Sequence, residues 1–179
     1  SSTTGDLINT NPQLGQLLGS LGYHPLLAGS PAIDAGNPGG CTGSTGLLTN
    51  DQRGAPRVGG CDIGAYEYTA PGPAAGIVAI DGTPQQTPPT LAFSEPFRAA
   101  VLDSIGSPVS NATVNFTAPG SGASGTFENS GTGATAAISN ASGIATAATF
   151  TANGSQGSYV VTAATEGVAA PASFTLTNT

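Results

Sequence analysis

The sequence predicts an all-β chain in two parts, and three observations carry that reading. Short runs of Val, Ile, Leu, Phe, Tyr and Thr recur at strand spacing between clusters of Gly, Pro, Asn and Ser. Helix formers are sparse beyond the first thirty residues. The composition changes at "TAPGPAAG", residues 69–76, where two prolines and two glycines break any regular element. The boundaries expected are therefore 1–68, a linker at 69–76, and 77–179.

Composition narrows the function classes. Lysine is absent, and Arg53, Arg57 and Arg98 face ten carboxylates for a net charge of -7. Such a surface repels phosphate backbones and anionic lipid, which argues against nucleic-acid partners. No run of eighteen apolar residues is present, so membrane insertion through a helix is not expected, and no basic segment leading into an apolar run marks a signal peptide. Gly, Ser, Thr, Ala and Asn dominate while Trp and Met are missing, a profile that suits extracellular β-structure with uncharged polar faces.

Downstream, "GIVAID", "FRAAVLDS", "ATVNFTAP", "SGTFEN", "ATAAIS", "IATAATFTA", "SYVVTAAT" and "ASFTLTN" read as strands. In "ATVNFTA" Val114 and Phe116 share one face, and in "SYVVTAAT" Tyr159 and Val161 do. Seven or eight such strands indicate an antiparallel sandwich. Its larger core fillers are expected to be Phe93, Phe97, Phe116, Phe127, Phe150, Tyr159 and Phe174. Turn chemistry agrees: "DSIGSPVSNAT" and "SNASGIAT" supply Gly, Pro and Asn between strands.

Residues 101–165 resemble a bacterial immunoglobulin-like domain of the invasin/intimin-related kind. Asp103, Gly106, Pro108, Val109, Ala112, Val114 and Phe116 follow its D-x-x-G-x-P-V-x-x-A-x-V-x-F hairpin. Gly143 and Ala145 fall on its T-x-A-x-G-x-A strand, and Gly157, Tyr159, Val161, Thr162 and Ala163 on its G-x-Y-x-V-T-A strand. The resemblance implies an immunoglobulin-like β-sandwich. It implies little about function, because such domains serve as spacers, stalks and adhesive tips alike.

Upstream, "NPQLGQLLGSL" at 11–21 predicts a helical turn or two, with Pro12 near its start. "SPAIDAGN" at 30–37 predicts a short strand through Ala32 and Ile33 before a turn. The pieces "SPAIDAG" (30–36), "DQRGAPR" (51–57) and "DIGAYE" (62–67) resemble the terminal rungs of secreted bacterial parallel β-helix proteins with SPAIDAG, DQRGxPR and DIGAxE signatures, often described as surface proteins with a choice-of-anchor region. Asn50 before the Asp and Tyr66 in place of the commoner Phe are the departures. The resemblance implies a short, irregular β-helix-like terminal module, without the many upstream rungs of that fold.

"TNDQRGAPRVGGCDIGAYEY", residues 49–68, gathers two of the three arginines, one of the two cysteines and three of the ten carboxylates. Asp34, Asp51, Asp62 and Glu67 are candidate acid/base carboxylates, since secreted β-helices are often polysaccharide lyases or hydrolases. The favoured reading is structural: Arg53 and Arg57 held by Asp34, Asp62 or Glu67 in bidentate pairs that lock irregular loops. A sugar-cleaving groove lies along many rungs, and one or two are present here. Cys41 and Cys61 bracket the cluster. A disulfide is the economical pairing, stabilising by roughly 3 kcal/mol, because a metal site would find only His24 to join them. His24 itself, beside Pro25, reads as a packing or hydrogen-bonding residue.

No catalytic set, cofactor or metal site is expected. Sequons occur at Asn111, Asn140 and Asn153. Asp81, Asp103 and Glu166 lack the clustering of a calcium site. A terminal rung cannot bury its core alone, so something must stack on residues 1–35. The expectation is a non-enzymatic extracellular structural protein of a bacterial surface, a stalk or fibre module that self-associates head to tail by strand addition or stacking. The N-terminal segment and "ASFTLTN" are the pieces expected to pair between subunits. Two other readings stand beside it: an adhesin for surface glycans or proteins, and the non-catalytic tail of a carbohydrate-active β-helix enzyme.

Overall fold

A computed structural model describes residues 7–18, 22–44 and 46–179. They contain strands, bridges and turns and no helix, so the chain is all-β. It divides into two compact units, residues 1–71 with 105–107, and 72–104 with 108–179.

The first unit is held by sparse backbone pairing. Residues 11–18 form no helix, and residues 19–21 of that expected turn lie outside the described residues. Isolated antiparallel bridges join Leu14 to Leu26 and Leu18 to Tyr23. Two local features oppose a helix: the Asn11 side chain accepts the Gln13 N–H at 2.9 Å, and Gln13 itself has φ +48°. The expected strand through Ala32 and Ile33 is also a turn, spanning 31–34, and Asp34 leaves it at φ +54°. Strands β1 (Thr42–Gly43) and β2 (Gly46–Leu47) form a minimal antiparallel pair. Leu18, Tyr23, Leu26, Ala32 and Tyr66 are buried between these segments.

The second unit holds β3 (Gly76–Asp81), β4 (Gln85–Thr87), β5 (Arg98–Leu102), β6 (Thr113–Thr117), β7 (Gly125–Phe127), β8 (Ala134–Ile138), β9 (Ile144–Thr146), β10 (Phe150–Ala152), β11 (Gly157–Thr165) and β12 (Ala172–Asn178). A five-stranded sheet runs β4-β12-β11-β6-β8, a three-stranded one β3-β5-β9, and β10 pairs with β7. The inner residues of all three sheets form one core. Its rings are Phe93, Phe97, Phe116, Phe127, Phe150 and Phe174, with Phe97 at its centre, 5.3 Å from Phe150 and 5.2 Å from Phe174. All six phenylalanines and Tyr159 are buried, as their alternation with polar residues predicts.

Two features depart from an antiparallel sandwich of eight continuous strands. β4, a three-residue strand between prolines, pairs parallel with β12. "IATAATFTA" is two strands: Ala147 N–H still bonds Phe97 O, but by Thr149 the partner is Glu128, so the chain changes sheets between β9 and β10. β12, expected to pair between subunits, lies inside its sheet, beside β11 on one side and, over Leu176–Asn178, beside β4 on the other.

Candidate functional site: a locked charge cluster beside an open apolar face

Residues 49–68 turn back on themselves because their bonding groups find partners within the segment. Asp51 is the hub. Its Oδ1 accepts the N–H of Arg53 (2.8 Å) and of Ala55 (3.1 Å), and its Oδ2 accepts the N–H of Glu67 (3.1 Å) and Nε of Arg53 (2.8 Å). The Arg53 Nη2 lies 2.7 Å from the same Oδ2, and both side chains are almost fully buried. Burial works against ionisation of Asp51, but the Glu67 N–H and the Arg53 guanidinium outweigh it and leave its carboxyl below its ordinary value. Arg53 also donates to the Glu67 carbonyl at 2.7 Å and to Ser107 Oγ at 2.9 Å. Its guanidinium carbon sits 3.8 Å from the ring centroid of Tyr66, which stacks on Tyr23 at 5.8 Å.

The second ion pair joins Arg57 to Glu67 at 2.9 Å, again nearly without exposure. Glu67 further accepts the Val58 N–H at 3.2 Å, while Arg57 donates to the carbonyl oxygens of Gly64 (3.0 Å) and Asn50 (3.3 Å). Among the partners the sequence suggested, Glu67 holds Arg57. Asp34 and Asp62 hold neither arginine. Asp62 instead accepts the backbone N–H of Asp34 at 2.7 Å and that of Tyr68, and Asp34 accepts the N–H of Gly60 at 2.9 Å. The true partner of Arg53, Asp51, lies two residues away, and the signal for it was the Asp-x-Arg spacing of a turn in which a carboxylate caps the following N–H groups.

Cys41 and Cys61 are joined, with Cα atoms 5.2 Å apart. A disulfide fits an oxidising compartment. The Cys61 carbonyl accepts the N–H of Gly36 at 2.6 Å, an approach that only glycine permits, because a Cβ at residue 36 would lie 2.5 Å from that oxygen. Gly60 is equally constrained by Asp34, whose carboxylate oxygen would be 2.8 Å from a Cβ there. The glycines of "SPAIDAG" and "VGGCD" thus bring the two signature segments together around the disulfide. His24 is exposed and its Nδ1 lies 2.9 Å from the Gly15 carbonyl; a carbonyl only accepts, so Nδ1 carries the proton.

Beside this cluster lies a face that the unit leaves open. A cleft of about 440 Å³ is lined by Leu7, Ile8, Thr10, Pro12, Pro31, Ala32 and Ile63. A second, of about 390 Å³, shares Pro12, Ala32 and Ile63 and continues to Leu14, Tyr23, Leu26 and Tyr66. Leu7, Ile8, Leu14, Leu17, Leu47, Leu48, Val58, Ile63 and Ile105 are all exposed in this unit, more large aliphatic side chains than it buries. Among the described residues no Asp, Glu or Arg lines either cleft. The Pro31, Ala32 and Ile63 side chains that line it belong to the signature segments, whose polar members meanwhile tie the loops.

Elsewhere the chemistry-bearing groups are structural. Among the described residues no group of three His, Cys, Asp or Glu side chains is placed to hold a metal. Asn178 is buried in the second unit, accepting from the Tyr159 hydroxyl at 3.0 Å and donating to the carbonyls of Ser124 and Ser155. Burial pushes the Tyr159 phenol up to about 12. Of the sequons, Asn153 has its amide nitrogen bonded to Gly122 O, whereas Asn111, Asn140 and a fourth, Asn115 before Phe116 and Thr117, are exposed.

No protein-family model and no curated relative matches the chain. Among solved structures, the β-glucuronidase of Parabacteroides merdae with glycerol in its active site aligns over 64% of this chain and 13% of its own, at 15% identity and a TM-score of 0.40. A second structure of that enzyme aligns over 63% of this chain and 13% of its own, at 15% identity and a TM-score of 0.39. The chain therefore corresponds to a small part of the enzyme's length.

Proposed function

We propose that this chain is a non-enzymatic, extracellular structural module of a bacterial surface protein, a stalk or fibre segment whose first unit is covered by stacking. The observation that carries the reading is the open apolar face of that unit: a small module exposing this much Leu and Ile is completed by a partner surface. The charge cluster supports it from the other side. Asp51, Asp62 and Glu67 are buried and committed to arginines or backbone N–H groups, which leaves a poor acid/base pair for cleaving a sugar. The resemblance of residues 30–67 to terminal β-helix rungs and of 101–165 to an immunoglobulin-like domain fits a spacer, and the disulfide fits an extracellular setting. A glycan-binding adhesin draws less support: among the described residues every Phe and Tyr is buried except Tyr68, which is half-buried, so no ring stands fully exposed for a sugar to stack on.

Negative-stain electron microscopy of the native material, with intact mass spectrometry of its dissociated chain, tests this. Regular fibres built from a chain of this mass support the reading, and Ile63→Asp should dissolve them by placing a charge at the centre of the apolar face. Dispersed particles, or a much longer precursor with carboxylates repeated along its rungs, refute the fibre and move the function upstream.

A further inference from the structure

Several edge strands of the second unit's sheets are closed or interrupted by local devices. Gln85 in β4 is tied through its side chain to Gly82 O and Glu95 O. Strand β3 carries a bulge between Ala79 and Asp81, and Ile144 in β9 exchanges bonds with Asn140. β10 is bridged by Ala92. β8 is different. It pairs with β6 alone, in a register set by Gly133 with Ala118 at one end and Ser139 with Ala112 at the other. Alternation then aims the N–H and C=O groups of Ala134, Ala136 and Ile138 away from β6. Those of Ala134 are met by the hydroxyls of Ser130 and Thr132. Among the described residues nothing meets those of Ala136 and Ile138, and Ile138 is 58% exposed. The strand "ATAAI" has no charge, no proline and no bulge, the features that natural edges use to refuse a partner.

We propose that β8 pairs antiparallel with β8 of a second copy, about a two-fold axis at Ala137, joining two five-stranded sheets edge to edge. Two arguments select a second copy. Ala136 and Ile138 flank Ala137 symmetrically, so the two-fold places Ala136 of one copy opposite Ile138 of the other and each exchanges both backbone bonds. The closure of Ala134 by Ser130 and Thr132 limits the open run to these two residues, which fixes the register and leaves little for a longer foreign strand. Charge gives the second argument. Copies of a chain at -7 repel, yet β8 and the outward residues beside it on β6 and β11, such as Thr117 and Thr162, are uncharged. Two copies meet here without opposing like charges. The contact is small, so it acts as a weak pairing that gains strength when many copies are held side by side. It is independent of whatever covers the first unit.

Sedimentation velocity of the full chain over a rising concentration series tests the pairing. The wild type should show a reversible dimer. Ala136→Pro removes an N–H that β6 does not use, so the sheet survives while the dimer constant falls by at least about tenfold, a loss of about 1.4 kcal/mol. Ala136→Glu, which sets the two copies' carboxylates diagonally across the seam on the same face, should act in the same direction and decides the matter should the proline variant fail to fold. Ala137→Cys should yield a disulfide-linked dimer on non-reducing gels, and Ile63→Asp should leave the pairing intact. A wild type that stays monomeric throughout, or a dimer unchanged by both Ala136 variants, overturns the proposal.

Discussion

Asp51 shows how one side chain can organise twenty residues. Its two oxygens take three backbone N–H groups and a guanidinium, so its loss leaves Arg53 buried beside unpaired donors. Asp51→Asn should therefore cost about 3–5 kcal/mol in chemical denaturation of the first unit, the range for breaking a buried ion pair from one side. The pH dependence follows the same group. Its folded value is depressed below the ordinary carboxyl value of about 3.9, so its stabilisation is complete above that pH and drains away as pH falls further, a change that acid titration of the circular dichroism signal reads. Tyr159 has the opposite sense. With its folded value raised to about 12, it stabilises the second unit fully below the unfolded value of about 10, and that contribution is lost as pH climbs through about 12. Phenolate absorbance should show a tyrosine titrating at about pH 12, and Tyr159→Phe should remove that step and flatten the alkaline loss of stability.

At the scale of elements, alternation was the reliable signal. Val114 with Phe116 and Tyr159 with Val161 point inward because a strand facing one core must place every second residue there. The same logic makes Phe97 the most consequential ring, since it touches rings from four other segments; Phe97→Ala should cost about 3–5 kcal/mol, measured by thermal or denaturant unfolding of the second unit. Propensity misled where tertiary bonding won. "NPQLGQLL" has helical spacing of its leucines, but Leu14 and Leu18 bridge to Leu26 and Tyr23, and those long-range bonds replace the helical ones. "IATAATFTA" alternates without a break, and nothing local tells that its second half changes partners, because the switch is made by Phe97 on one side and Glu128 on the other.

Across the whole chain the two units rest on different physics. The second has an aromatic core and needs no covalent tie. The first has little core, and depends on its ion pairs and on Cys41–Cys61. Reduction should therefore destabilise the first unit by roughly 3 kcal/mol and leave the second, which has no cysteine, unchanged. Limited trypsin digestion checks this: Arg53 and Arg57 are buried in the oxidised chain, and cleavage at both should appear only with reductant.

The sequence by itself determined the all-β class, the change of character near residue 70, the disulfide and the gathering of charge at residues 49–68, because composition, alternation and cysteine count act locally or by elimination. Only the tertiary structure decided that Asp51 rather than Asp34 or Asp62 holds Arg53, that β4 joins β12 in parallel, and that β8 ends the five-stranded sheet while β12 lies inside it. The reason is common to all three. Each depends on which of several equivalent donors and acceptors lies within hydrogen-bond reach, and that distance is set by the packing of segments remote in sequence.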